Sequence, residues 1–266
     1  MHALAERPIE RGSAKPFIRL TNVGKTYVKE ATEFVAVSDV SFEIASGEFV
    51  SMVGPSGCGK TTVLKILAGL HRHSQGEISI GTPEEPFTPG RDVGMVFQQA
   101  LLLKWRTILD NVLLPAEILG LPRAESVERA RDLLAMVGLE GFESQFPHEL
   151  SGGMQQRAAI ARALIHNPKL LLMDEPFGAL DALTRDKMNL ELLNIWRKSG
   201  KTIVFVTHDI AEAVLLGTRA IVLTARPARM AENIPISFPD ERNLDLRTSE
   251  VFGSYTRRIY RLLGVG

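Results

Sequence analysis

Gly54-Pro55-Ser56-Gly57-Cys58-Gly59-Lys60-Thr61-Thr62 satisfies the spacing G-x-x-x-x-G-K-[ST] at every fixed position, a pattern whose chemistry is the holding of a polyphosphate. The glycines let successive backbone N–H groups converge on phosphate oxygens, and a helix N-terminus behind them adds unpaired donors and a positive dipole end. In such a cradle Lys60 sits on the β- and γ-phosphates and the Thr61 hydroxyl on Mg²⁺. Asp174 and Glu175 follow the four apolar residues Leu170 to Met173, so both carboxylates stand where a buried strand ends. The first suits the metal ion and the second an attacking water; the plainer reading is a capping pair before Pro176. His208 follows the apolar run Thr202 to Val206 and stands either as a contact to a γ-phosphate or as a helix-start residue beside Asp209.

The elements needed to place these groups are legible around them. A Val-rich run, Phe49 to Val53, reads as a buried strand leading into the loop, and Thr61 to Leu70 as a helix with Val63, Leu64, Ile66, Leu67 and Leu70 on its apolar side. Upstream, Phe17 to Val23 and Val35 to Ile44 alternate as half-exposed strands, with Tyr27 expected between them. Gly76 to Gly81 and Val93 to Phe97 read as short strands flanking a Pro- and Gly-rich loop, the second ending on Gln98-Gln99. Helical spacing then takes over at Ile108 to Leu119, Glu125 to Val137 and Gly153 to Leu164, an insert of roughly sixty residues. Beyond it come a strand at Leu170 to Met173, a helix over Leu183 to Lys198, a strand at Thr202 to Val206, a helix from Asp209 and a strand at Ala220 to Thr224. Strands alternating with helices predict a mainly parallel sheet covered on both faces. A weak strand near Met230 to Ile236 and an amphipathic helix near Ser249 to Leu263 close the chain; the apolar stripe of that helix, between Arg257, Arg258 and Arg261, suits a partner surface.

Composition sets limits on function. With 31 basic and 31 acidic residues among 266 the net charge is zero, so no general basic field recommends nucleic acid as a partner. The single cysteine, Cys58, cannot form an internal disulfide and points to a reducing compartment, while its place in the phosphate loop predicts reaction with thiol reagents. No apolar run approaches the ~20 residues that span a bilayer, so any membrane attachment is through a partner. Residues 1–15, with charges, Pro8, Gly12 and Ser13, read as a flexible leader.

Leu150-Ser151-Gly152-Gly153-Met154-Gln155-Gln156-Arg157 gives a second helix start with room for an anion: Ser151 can cap the helix and Gly152 and Gly153 leave its N–H groups approachable. From the residues alone it is equally an ordinary cap. Taken in order, the phosphate loop, Gln98, this stretch, Leu170 to Glu175, Ala179-Leu180-Asp181 and His208 resemble the ATPase subunit of an ATP-binding cassette (ABC) transporter, from about Phe17 to Thr224. The resemblance implies a P-loop NTPase (RecA-like) α/β core with an antiparallel β subdomain and an inserted α-helical subdomain: an ATPase domain over 16–225, its helical part at 99–165, and a C-terminal extension at 226–266.

It also implies roles. Contact with ATP falls to Gly54, Pro55, Ser56, Gly57, Cys58, Gly59, Lys60, Thr61 and Thr62, to Tyr27 as an aromatic on adenine, and to Gln98, Ser151, Gly152, Gly153, Asp181 and His208. Catalysis falls to Glu175, His208, Gln98 and Lys60, and Mg²⁺ to Thr61, Gln98 and Asp174. Two copies would close head to tail, each ATP lying between one loop and the other copy's Ser151 and Gly153. Met154 in place of the usual glutamine, Pro147-His148-Glu149, Leu101-Leu102-Leu103 with Trp105, and Thr224 to Arg229 resemble the ATPases of nitrate, sulfonate, taurine and related importers, although Lys104 replaces the proline usual before that tryptophan. A membrane permease, a separate solute-binding protein and a place on the cytoplasmic face of the membrane are the implied context. A soluble cassette protein acting on nucleic acid or ribosomes, a non-hydrolysing nucleotide switch, an exporter, and an importer of another solute such as a thiamine-precursor pyrimidine are the rivals.

Overall fold

A computed structural model describes residues 16–29, 32–84, 86–239 and 241–264; the expected leader, 1–15, lies outside the described residues. Among these, nine strands form: β1 (Ile18–Lys29), β2 (Thr32–Ile44), β3 (Phe49–Val53), β4 (Gln75–Ile80), β5 (Val93–Val96), β6 (Leu170–Asp174), β7 (Thr202–Thr207), β8 (Arg219–Leu223) and β9 (Met230–Pro235). They make an antiparallel sheet in the order β2-β1-β4 and a six-stranded sheet in the order β5-β6-β7-β3-β8-β9, parallel except for β9. Eight α-helices accompany them: α1 (Lys60–Leu67), α2 (Pro89–Asp92), α3 (Ile108–Ile118), α4 (Arg123–Met136), α5 (Gly152–Leu164), α6 (Ala182–Ser199), α7 (Ile210–Leu216) and α8 (Glu250–Leu262).

Alternation along the central strands explains why they read as unbroken apolar runs. Leu171, Met173, Ile203 and Phe205 point to one face, where α3, α4, α5 and α6 supply a core; Leu170, Leu172, Val204, Val206, Val50 and Met52 point to the other, where α1 and the antiparallel sheet supply a second. A strand buried on both faces has no polar side to show. Side-chain caps set the helix starts: Thr107, Ser151, Asp181 and Asp209 each accept from the backbone N–H three residues on. Buried Asn111 on α3 bonds to both backbone groups of Leu103 and to the carbonyls of Arg106 and Thr107, which fixes the Leu101 to Trp105 stretch with Trp105 75% exposed.

Several expectations change. The first strand runs on to Lys29, so Tyr27 lies within β1 and pairs with Phe34 of β2. The apolar side of the first helix stops at Leu67; Leu70 is exposed, because Gly69 takes a left-handed φ and the chain turns away. Part of the Pro- and Gly-rich loop is the short α2. The apolar stripe of the last helix is already used: Phe252 and Ile259 are buried against Val53, Val214, Val222 and Ile234, so α8 seals the outer face of the sheet instead of offering that stripe to a partner. Ile259→Ala should therefore lower unfolding free energy by ~2–4 kcal/mol, as large-to-small changes at closed sites do. Urea unfolding would measure it, and a change under ~0.5 kcal/mol, the size expected of a surface position, would contradict this packing.

Candidate functional site

Four adjacent parallel strands, β5, β6, β7 and β3, deliver their C-terminal ends to one edge of the sheet, the position where open α/β sheets bind ligands. The phosphate loop follows β3 and feeds α1. Gly59 has φ +128, and a Cβ there would come within 2.8 Å of the Ala36 carbonyl; at Gly54 a Cβ would come within 2.8 Å of the Leu223 carbonyl. Only glycine fits this turn against its two neighbours. Lys60 is 4% exposed, and its Nζ donates to the carbonyls of Gly54 (2.8 Å) and Pro55 (3.1 Å), held inside the loop's own curve.

Both acids lie against the loop. The Thr61 hydroxyl donates to Asp174 Oδ1 at 3.1 Å, Lys60 Nζ lies 3.7 Å from Glu175 Oε1, and His208 Nδ1 lies 3.0 Å from Glu175 Oε2. Burial pushes the Asp174 carboxyl above its ordinary range; the negative Glu175 adds to this and the Thr61 hydrogen bond opposes it. Glu175 has φ +46, a left-handed backbone held by its N–H on the Val206 carbonyl and its own carbonyl on the Gly178 N–H. Around Gly178 the last groups converge, since a Cβ there would meet Gln98 Nε2 at 3.5 Å and His208 Cε1 at 3.7 Å. Lys60, Thr61, Asp174, Glu175, His208 and Gln98 thus form one constellation.

Ser151, Gly152, Gly153 and Asp181 do not join it. Ser151 caps α5, accepting from Met154 N, and with Gly153, Arg157 and Thr184 lines a cavity of about 380 Å³. Asp181 caps α6 through Thr184, whose hydroxyl and N–H hold its carboxyl below the usual range. The outer wall of the phosphate loop lines a different hollow, with Pro55, Ser56, Gly57, Cys58, Ala225 and Arg226. Tyr27, on the antiparallel sheet, turns its hydroxyl to His71 Nδ1 (2.8 Å) and meets the imidazole edge-on. Cys58 is 2% exposed and packed in the core between the sheets, so the expected ready reaction with thiol reagents is not supported by its placement.

The family model described as ABC transporter matches residues 37–178. An uncharacterized ABC transporter ATP-binding protein of Methanocaldococcus jannaschii is 45% identical over 96% of this chain and 94% of its own length. The chain belongs to the ABC transporter family. Taurine import ATP-binding protein TauB of Escherichia coli is 44% identical to this ABC ATPase over 76% of the chain and 79% of TauB. Its fold matches a dimeric ATP-binding cassette solved in a post-hydrolysis state with ADP and Pi, at TM-score 0.72 and 36% identity, covering 84% of this chain and all of that one. The chain is accordingly an ABC ATPase, and among the described residues no helix is long and apolar enough to cross a membrane.

Two groups of this ABC ATPase have contacts that the sequence does not announce. Arg226 donates from Nε (3.2 Å) and Nη2 (2.8 Å) to the Gly57 carbonyl while its guanidinium stacks 4.5 Å from the Phe34 ring, tying the phosphate loop to the antiparallel sheet. Glu212 is a carboxyl in an otherwise apolar helix, 4% exposed, and burial raises it from its ordinary 4.5 to about 7. Between those pH values the native protein keeps a proton that the unfolded chain has released, so stability falls as pH rises through the window and levels off above it. Relative to Glu212→Gln, the wild type should lose on the order of 2–3 kcal/mol of unfolding free energy between pH 5 and 7.5. Parallel urea-stability curves for the two proteins across that range would contradict the shift.

Proposed function

We propose that this ABC ATPase energises uptake of a small, anionic solute, of the nitrate, sulfonate or taurine kind, through a separate membrane permease. It would work as two copies closed head to tail on the cytoplasmic face of the membrane, with an extracytoplasmic solute-binding protein delivering the cargo. The observation that supports the pairing is the division of the site: one chain's constellation lacks the second anion-binding helix start, and Ser151 and Gly153 line their own cavity with nothing from the loop in it. A second copy placing Ser151 and Gly153 over the γ-phosphate, with Asp181 reaching across, would complete both sites at once. The dimeric cassette neighbour supports the same reading, and the taurine import relatives support the direction and the solute class.

In that arrangement the loop N–H groups and Lys60 hold the triphosphate, and Tyr27 stacks on the adenine. The Thr61 hydroxyl, the half-buried Asp174 carboxylate and the Gln98 amide are hard oxygen donors suited to Mg²⁺, and the raised Asp174 carboxyl marks a charge that a cation would relieve. Mg²⁺, when bound, supplies charge neutralisation of the phosphates. Glu175 accepts the proton of the attacking water as its oxygen bonds to the γ-phosphorus and the bond to ADP breaks, while His208 holds Glu175 on one side and the γ-phosphate on the other.

A groove of about 520 Å³ between Gln98, Leu101, Leu102, Lys104 and the start of α5 would seat a permease segment beside exposed Trp105. Trp105→Ala should weaken that association by ~2 kcal/mol, the loss typical of an aromatic anchor. Solute uptake in reconstituted vesicles should then fall several-fold while ATP turnover of the isolated subunit holds. Equal loss of both, or co-purification with ribosomes instead of a membrane protein, would count against the importer.

A further inference from the structure

We propose that Glu212 is a positioning residue: with the Thr207 hydroxyl and the Asp209 cap it clamps the turn that aims His208 at Glu175, and Arg185 ties that turn to the loop carrying Asp181. The proposal rests on the reading of His208 as part of the hydrolytic site. Its basis is a continuous set of bonds on either side of His208. The Thr207 hydroxyl donates to Glu212 Oε2 and accepts from Asp209 N at 3.0 Å, so one hydroxyl brackets the backbone of His208. Asp209 Oδ1 accepts from Glu212 N at 3.0 Å, closing the ring. Arg185 Nη1 lies 3.5 Å from Asp209 Oδ2, and its Nη2 donates to the Leu180 carbonyl at 2.8 Å, one residue before Asp181. A small apolar residue at 212 would pack into α7 at no electrostatic penalty, so a buried carboxyl on a helix whose other residues are all apolar calls for a reason.

The groups facing Glu212 are few. Thr207 comes from β7, Asp209 from the turn, and Arg185 and Asn189 from α6. Asn189 is fully buried, and its carboxamide lies against the Glu212 carboxyl, favouring the charged form. Asp209 opposes a second negative charge there and Arg185 favours it, and burial, the largest influence, keeps the acid neutral below about pH 7. A neutral carboxyl and a neutral carboxamide of the same shape are therefore interchangeable as acceptors for Thr207, and an alanine is not. The clamp sits between two elements with different duties: His208 touches Glu175 in the same chain, whereas Asp181 would touch the second copy. Arg185 and Asp209 give closure of the pair a direct route to the imidazole.

Two readouts test this on the full chain. In ¹⁵N spectra with labelled histidine, Glu212→Ala should move the His208 ring resonances toward their positions in Glu175→Gln, and Glu212→Gln should leave them in place. In steady-state ATP hydrolysis, Glu212→Ala should lower kcat by about tenfold with KM for ATP within about twofold, the pattern of a lost transition-state interaction. A His208→Ala, Glu212→Ala double variant should be no slower than His208→Ala alone. Should Glu212→Ala fail to fold, Thr207→Val removes the same bracket and should displace the same resonances. Unmoved His208 resonances in either variant, or rate losses that multiply in the double variant, would overturn the clamp. A fully active His208→Ala protein would instead sink the role given to His208, and the ring resonances would still decide whether Glu212 positions it.

Discussion

Glu175→Gln should bind ATP as the wild type does and hydrolyse it ~10²–10⁴-fold more slowly, since the carboxamide keeps the size and hydrogen bonding of Glu175 but cannot take a proton from water. The geometry sharpens that expectation. Glu175 lies between Lys60 Nζ and His208 Nδ1, and a carboxamide can still accept from one of them, so the constellation should stay assembled. In the proposed pair, ATP held between two copies would stabilise the dimer by mass action, and hydrolysis would end that state. The slow variant should therefore accumulate as an ATP-dependent dimer by light scattering, and adding Ser151→Arg should abolish the dimer by placing bulk at the exposed start of α5. Normal turnover in Glu175→Gln would remove Glu175 from its role. A variant that binds ATP yet stays monomeric at high concentration, with its permease present, would count against the closed pair.

Lys60→Ala should lose ATP affinity by ~2–4 kcal/mol, as truncating one partner of a buried charge pair does, which is roughly 30- to 1,000-fold in Kd. Turnover should fall with it, because the same ammonium balances charge that builds on the phosphates as the bond breaks. Removing Lys60 also leaves the Gly54 and Pro55 carbonyls without their donor, so part of the loss will come from a loop that no longer holds its curve. Titration with a fluorescent ATP analogue separates binding from rate. Wild-type turnover at saturating ATP would refute the assignment.

The edge constellation was legible because each member carries a local signal. Glycine spacing marks Lys60 and Thr61, and unbroken apolar runs mark the strands that end at Asp174 and His208. The α/β alternation puts the ends of the parallel strands at one edge, so Thr61 and Asp174, 113 positions apart, are expected on the same edge, although β7 lies between their strands. What sequence could not show are contacts between unlike surfaces. Nothing in Tyr27 announces His71, nothing in Arg226 announces the Gly57 carbonyl, and Glu212 is one acid on a helix too short for a periodic pattern. The last helix shows the same limit from the other side. Its apolar stripe was plain, but a stripe says only that something covers it, and the cover is this chain's own α7 and sheet.

The left-handed backbone at Glu175 also bears on how the protein can be improved. A side chain at φ +46 costs ~1–2 kcal/mol relative to a relaxed conformation, a penalty that glycine escapes and asparagine reduces. A library selected for heat resistance alone would thus drift toward glycine or asparagine at position 175, gaining melting temperature while discarding the carboxylate proposed as the proton acceptor. Any stabilisation campaign on this subunit has to hold position 175 fixed and look for its gains elsewhere.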